Sequence, residues 1–216
     1  MRIELFIEDF NICNLLGAPS KRNKIKAVYL TINNLNYFSQ CRGKNFEVVQ
    51  LMIKDEASKH DLRIFYSRII DCLNSLYVDG IKIERNGIEY EFKCFLAMIC
   101  ADNPASHEIG NLSTCFSGGS ICRYCDARYD QIQTVFDAEQ FTLWTKATEQ
   151  PKLDEILRDD KMKTVYGLNG PNVFDSLIGF DFFMSSPPDV MHDIQEGVIP
   201  LIMQCLLAEL SVANIS

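Results

Sequence analysis

Three short stretches carry side chains that could do chemistry. The apolar run Phe95-Leu-Ala-Met-Ile-Cys-Ala101 ends in Asp102, with Asn103-Pro104-Ala105 behind it. Cys122-Arg-Tyr-Cys125 follows, and Pro187-Pro-Asp-Val-Met-His192 stands near the end. An apolar strand that delivers a carboxylate at its tip suits metal chemistry. Two-metal phosphoryl transfer needs carboxylates from separate strands converging on ions about 3.5–4 Å apart. Asp9, at the exit of the Ile3–Glu8 run, is the partner assigned to Asp102, with Glu8 competing for the role. The alternative is structural: Asp9 caps a turn, and Asp102 caps the helix whose first turn Pro104 suits.

Cys122 and Cys125 have the spacing of half a tetrahedral zinc site. The second half is sought in Asp189-x-x-His192, with Glu196 one turn beyond. Competing readings are a loop with two reduced thiols and a redox pair. The redox pair needs to open a helix at a strand end, whereas Gly118-Gly-Ser precedes this one. Zinc is the reading carried forward. His107 reads as a surface histidine that could reach the acidic site, and His60 as solvated. No nucleophile elbow and no glycine-rich turn after the first strand appear, so a serine triad and a nucleotide cofactor lack support.

The elements that must position these groups belong to a chain of 216 residues, 47% hydrophobic, enough for a sizeable core. The charge of -8 argues against broad phosphate neutralisation on nucleic acid. Lys21-Arg-Asn-Lys24 with Lys26 is the one dense basic cluster and reads as a solvated turn. Charged residues break every apolar run short of a membrane span. The acidic start does not fit a signal peptide, and nine mostly scattered cysteines read as reduced core residues of an intracellular protein.

Strands are expected at Ile3–Glu8, Ile25–Ile32 and Phe46–Ile53, with a loop over Asn14–Asn23. Apolar residues at three- and four-residue steps predict a helix over Ala57–Asp79, stopped by Gly80. Asn86-Gly87 then turns a hairpin that leads into a long central strand ending at Ala101. Asp137–Asp160 reads as helical in part and broken by Pro151. Val165–Pro188 reads as loop, and Val190–Leu210 as an apolar helix with Pro200 near its middle. The order fits an α/β, RNase H-like mixed sheet flanked by helices over residues 1–116. A Cys-x-x-Cys extension and a C-terminal apolar helix fill 117–216. A Rossmann-like sheet remains the other arrangement that pattern allows.

As a set, Cys100-Ala-Asp-Asn-Pro-Ala-Ser-His107, Cys122-Arg-Tyr-Cys125 and Pro188-Asp-Val-Met-His-Asp-Ile-Gln-Glu-Gly197 resemble the catalytic region of CACTA-like eukaryotic DDE transposases and their descendants. Glu8-Asp-Phe, with Asn14, Gly17 and the Lys24–Leu35 strand, resembles the stretch around that family's first acidic residue.

The resemblance implies an RNase H-like core that cuts and rejoins DNA in the nucleus. Mg²⁺ or Mn²⁺ would be held by Asp9 and Asp102, and Zn²⁺ by Cys122, Cys125 and His192, with Asp189 a further partner. The family's third acidic residue has no match, since Glu196 belongs to the Asp-x-Met-His element and Glu209 cannot be placed. An amino-terminal DNA-binding domain is not seen. The expectation is therefore a fragment or relic that is inactive alone. The alternative is a non-enzymatic, zinc-stabilised protein-interaction domain. Self-association through the apolar tail is expected, and a membrane is not.

Overall fold

The computed structural model describes residues 1–11, 24–34, 45–57 and 59–212. Strands β1 (Arg2–Asn11), β2 (Lys24–Ile32) and β3 (Glu47–Ile53) form an antiparallel meander. After the short helix α1 (Lys54–Ala57) comes α2 (Leu62–Val78), whose start is capped by Asp61. The helix thus begins later than periodicity predicts, one residue before Arg63, whose backbone N–H donates to the Asp61 carboxylate. Gly80 at φ +79° follows its end, where a Cβ would stand 2.8 Å from the Phe92 carbonyl oxygen. Gly80 therefore both stops the helix and lets the hairpin fold back.

That hairpin, β4 (Ile81–Arg85) and β5 (Ile88–Phe92), turns through Asn86 and Gly87 at positive φ. It is a separate two-stranded sheet rather than the lead-in to a central strand. β6 (Phe95–Ala101) pairs parallel to β1 and lies at the edge of the four-stranded order β3-β2-β1-β6. Both corrections have one cause. The backbone leaves the ladder at Lys93–Cys94, so the apolar residues up to Phe92 and those from Phe95 serve different sheets.

Side chains of β1 alternate. Ile3, Leu5 and Ile7 are buried with Ile99, Tyr66, Ile70 and Leu73, which packs the sheet onto α2. The same cluster of buried side chains continues through Ile109 into Trp144, Leu168, Phe174 and Phe183 of the irregular second half. Helix α3 (Asn103–Ile109) follows β6 directly. Next come a 3-10 turn at Ala138–Gln140, α4 (Lys146–Arg158), α5 (Met162–Tyr166) and α6 (Phe182–Ser185).

Helix α4 runs through Pro151 instead of breaking there. The proline removes one backbone donor, while the reciprocal Thr145–Thr148 capping box holds the first turn in place. The C-terminal helix has two parts, a π-helical segment Val190–Val198 and α7 (Ile199–Val212). Pro200, which has no N–H to continue the wider ladder, sits just beyond the change of winding.

Together these two parts give a 22-residue stretch, Val190–Ser211, long and apolar enough by length and composition to cross a bilayer. It is the one such helix among the described residues and stays compatible with the expectation of no membrane.

Candidate functional site

The register of β1 and β6 pairs Ile7 with Ala101, so the next residues, Glu8 and Asp102, follow where the parallel pairing ends, while β1 runs on to Asn11 beside β2. Period-two alternation puts Glu8 on the face of Phe6 and Cys100, and Asp9 on the opposite face, behind Ile7. The two candidate acids of β1 therefore meet different partners.

Asp9 is enclosed by cations. Its Oδ1 lies 3.1 Å from Lys26 Nζ, and its Oδ2 accepts a hydrogen bond from Lys54. Lys26 stands directly across the β1–β2 ladder from Asp9 and donates to Glu108 Oε2 at 2.8 Å. Lys26 is wholly buried, which corrects the expectation of a solvated turn. Lys24 of that cluster opens β2, while Lys21, Arg22 and Asn23 lie outside the described residues, as does the Asn14–Asn23 loop with Gly17. Burial alone would raise the Asp9 carboxyl. The Lys54 and Lys26 ammoniums outweigh it and hold the group below the usual carboxylate range.

Glu8 has the opposite environment. Burial raises its carboxyl first, then the negative charge of Asp102, and Asp189 and Asp9 add to that, with His192 the one group lowering it. Glu8, Asp102, Asp189 and His192 thus share one electrostatic neighbourhood. A recess of about 230 Å³ opens there, lined by Phe6, Glu8, Cys100, Pro187 and Asp189 among others. Burial, with Glu4 and Asp189 nearby, pushes the Cys100 thiol up to about 11.

Asp102 fulfils its structural reading as well. It is the N-cap of α3, with Oδ1 accepting from Ala105 N at 2.7 Å. One oxygen is committed to the helix start, which fixes the carboxylate at the strand tip.

Asp189 and His192 are held to each other. Asp189 caps the π-helical segment by accepting from the N–H groups of Met191 and His192, and its Oδ2 accepts from His192 Nδ1. Burial alone would raise the Asp189 carboxyl, but the bonds from His192 bring it below its usual value. The same hydrogen bond raises the His192 imidazole. This pair is tied down by Asp193, which accepts from Asn103 Nδ2 at the start of α3 and from the Asp189 N–H.

Among the described residues, no group of three or more His, Cys, Asp or Glu side chains is arranged to hold a metal ion. Cys122, Cys125, His192 and Asp189 form no such group. The Asp189 carboxylate and His192 Nδ1 are engaged with each other beside the acidic face. Cys122 Sγ accepts from Tyr124 N at 3.3 Å, and burial pushes the Cys125 thiol up to about 11. The pair Glu8 and Asp102 does suit a hard divalent cation, which keeps several waters and takes only one or two carboxylates from the protein.

Several groups escaped sequence reasoning. His107 is buried, not at the surface, with Nδ1–H donating to the Ser113 carbonyl at 2.8 Å. Burial lowers its pKa, so the ring is neutral at pH 7. Arg123, between the two cysteines, is 4% exposed, and its Nη2 donates to the Pro187 carbonyl at 3.1 Å. The Cys-x-x-Cys loop is therefore a clamp on the segment that enters Asp189–His192. A lone arginine gives no periodic signal, so nothing in the sequence pointed to it. His60 is exposed, as expected.

No protein family matches this chain, and no curated protein matches it.

Proposed function

We propose that the chain is the catalytic region of a DDE-type DNA transposase, or of a product descended from one, with an RNase H-like core and DNA in the nucleus as its partner. The observation supporting this most is that Glu8 and Asp102 both follow the last paired residues of β1 and β6 and that the Asp102 charge acts on Glu8. In this reading Glu8 takes the first acidic role in place of Asp9, which the two lysines hold on the other face. A divalent ion held there would neutralise phosphate charge and lower the pKa of the attacking water. Glu8 and Asp102 supply the negative charge that recruits the ion. The Asp189–His192 pair keeps a readily protonated imidazole beside them. The third carboxylate of the family has no assigned counterpart, so the chain alone is expected to be inactive.

A Mn²⁺ titration tests the assignment. Glu8→Gln and Asp102→Asn are expected to weaken Mn²⁺ binding by about tenfold or more, the effect of losing one charged ligand. Asp9→Asn should leave the affinity of the folded protein unchanged. The reverse pattern would return the role to Asp9, and no binding by the parent chain would remove the metal reading. A plasmid-nicking assay with Mg²⁺ or Mn²⁺ should give background only.

A second reading, a protein-interaction domain, is favoured by α7, where Leu201, Ile202, Met203, Leu206, Leu207 and Leu210 are all exposed. An uncovered apolar helix of this kind associates with other apolar surface. Light scattering across a dilution series should show the chain self-associating, with Leu206→Lys plus Leu207→Lys restoring the monomer. A monomer at every concentration would count against this reading.

A further inference from the structure

The outer edge of β3 and the helix beside it form a groove that neither the acidic pair nor α7 uses. β3 ends the sheet order, and among the described residues it pairs with β2 alone. A strand in that position turns a row of backbone N–H and C=O groups outward, and natural edges are commonly blunted by lysine, proline or a bulge. From Glu47 to Ile53 there is no lysine or proline, and Val48, Val49, Leu51 and Ile53 are all exposed.

β3 does carry a bulge. Val28 pairs with Gln50 and Tyr29 with Val48, which leaves Val49 as the extra residue. Two consecutive residues, Val49 and Gln50, therefore line the same recess, where an unbroken strand would send them to opposite faces. Beyond the bulge, residues 50–53 match β2 one for one, so the outer edge is regular there.

The recess holds about 360 Å³ between β3 and α2. Its floor is apolar: Leu73 is buried in the core, and Leu30, Ile69 and Leu76 pack against that core. Gln50 Nε2 donates to the Phe65 carbonyl at 2.7 Å, which ties the strand wall to the helix wall. Arg68 and Cys72 stand four residues apart on the helix rim, and both are exposed. Arg68 is the one charged side chain of the lining, and among the described residues it makes no ion pair. A guanidinium free at the lip of an apolar recess selects a carboxylate, which it can hold through two hydrogen bonds.

We propose that β3 and α2 bind an extended segment of another protein by strand addition, with an apolar side chain in the recess and an acidic residue on Arg68. Backbone pairing to residues 50–53 supplies affinity, and the recess with Arg68 supplies sequence preference. The groove shares no residue with Glu8, Asp102 or α7.

The probe is a capped, fluorescein-labelled heptapeptide of alternating threonine and valine around a central phenylalanine. A glutamate two residues after the phenylalanine lies on the same side of an extended chain. Anisotropy with the full chain should show saturable binding. Arg68→Glu should weaken it by about five- to tenfold, since repulsion replaces attraction at an exposed pair. A peptide with lysine in place of glutamate should recover binding to that variant. Cys72→Trp, at an exposed helix position, should fill the recess and weaken the phenylalanine peptide.

Methylating alternate backbone nitrogens of the peptide tests the pairing itself. One set should abolish binding and the other should leave it. No saturable binding, or binding that Arg68→Glu, Cys72→Trp and both methylated sets leave unchanged, overturns the proposal. Light scattering covers the remaining occupant. Dimers that Leu51→Lys dissolves, and that Leu206→Lys plus Leu207→Lys does not, would give the edge to a second copy and also overturn it.

Discussion

Asp9→Ala is expected to cost about 3–5 kcal/mol of folding stability, because it leaves the buried Lys26 ammonium short of a partner. Lys26 has no solvent-exposed side chain, and Asp9 is its ladder partner as well as one of its two anions. Glu108 remains, so the loss should sit in that range rather than beyond it. Lys54 also loses its anion but is partly exposed and can turn to water. Glu8→Gln, one residue away, should change stability little or raise it, since burial and neighbouring anions already disfavour the Glu8 charge. Urea denaturation of the two variants measures the contrast directly. Equal losses would mean that the two faces of β1 are not electrostatically distinct.

The same network sets an acid limit. The Asp9 carboxyl is lower in the folded chain than in the unfolded one, so its contribution is complete above the unfolded value near 3.8. It is lost as pH falls through the folded value. Asp9 therefore acts as the counter-ion joining β1, β2 and α1, while Glu8 is left facing the recess. Division of labour between adjacent acids follows from the two-residue period of a strand, and costs the chain only one buried ion cluster.

That parity is what the sequence could not supply. Glu8 and Asp9 both flank the apolar end of β1, and the choice between them depends on which lies behind Ile7. Alternation over Ile3, Leu5 and Ile7 carried the answer, but only once the β1–β6 register placed Glu8 beside Asp102. The meander, the parallel return strand and the Asn-Gly turn were legible because each depends on local signals, namely β-branched runs, spacing and a positive-φ pair. The breaks were not. Cys94 leaves the ladder without a glycine or proline to mark it, and the π winding of Val190–Val198 has the composition of an ordinary helix.

The Asp189–His192 contact was hidden from the sequence for a related reason. Asp189 and His192, three residues apart at a helix start, satisfy each other first. Spacing that suits a metal also suits an N-cap, and the backbone supplies the donors for the second at no distance. Arg123 links the cysteine loop to Pro187.

Glu149→Gln is the second large effect, and it should stabilise. Glu149 in the first turn of α4 is 2% exposed, and its Oε1 has no hydrogen-bond partner. Burial, followed by the charges of Asp175 and Asp181 and only weakly opposed by Lys146, pushes its carboxyl up to about 7 from 4.5. The sign follows from linkage. Between pH 4.5 and about 7 the unfolded chain releases this proton while the folded chain keeps it, so stability falls as pH rises across that window. At about 1.4 kcal/mol per unit, the accumulated penalty is about 3 kcal/mol above pH 7. Glutamine keeps the shape and removes the proton, so the variant should be more stable at pH 8 by up to that amount and equal to the parent near pH 4. Thermal or urea unfolding at the two pH values reads the difference. A variant that gains nothing at pH 8 would mean that Glu149 is ionised and paired in the folded chain.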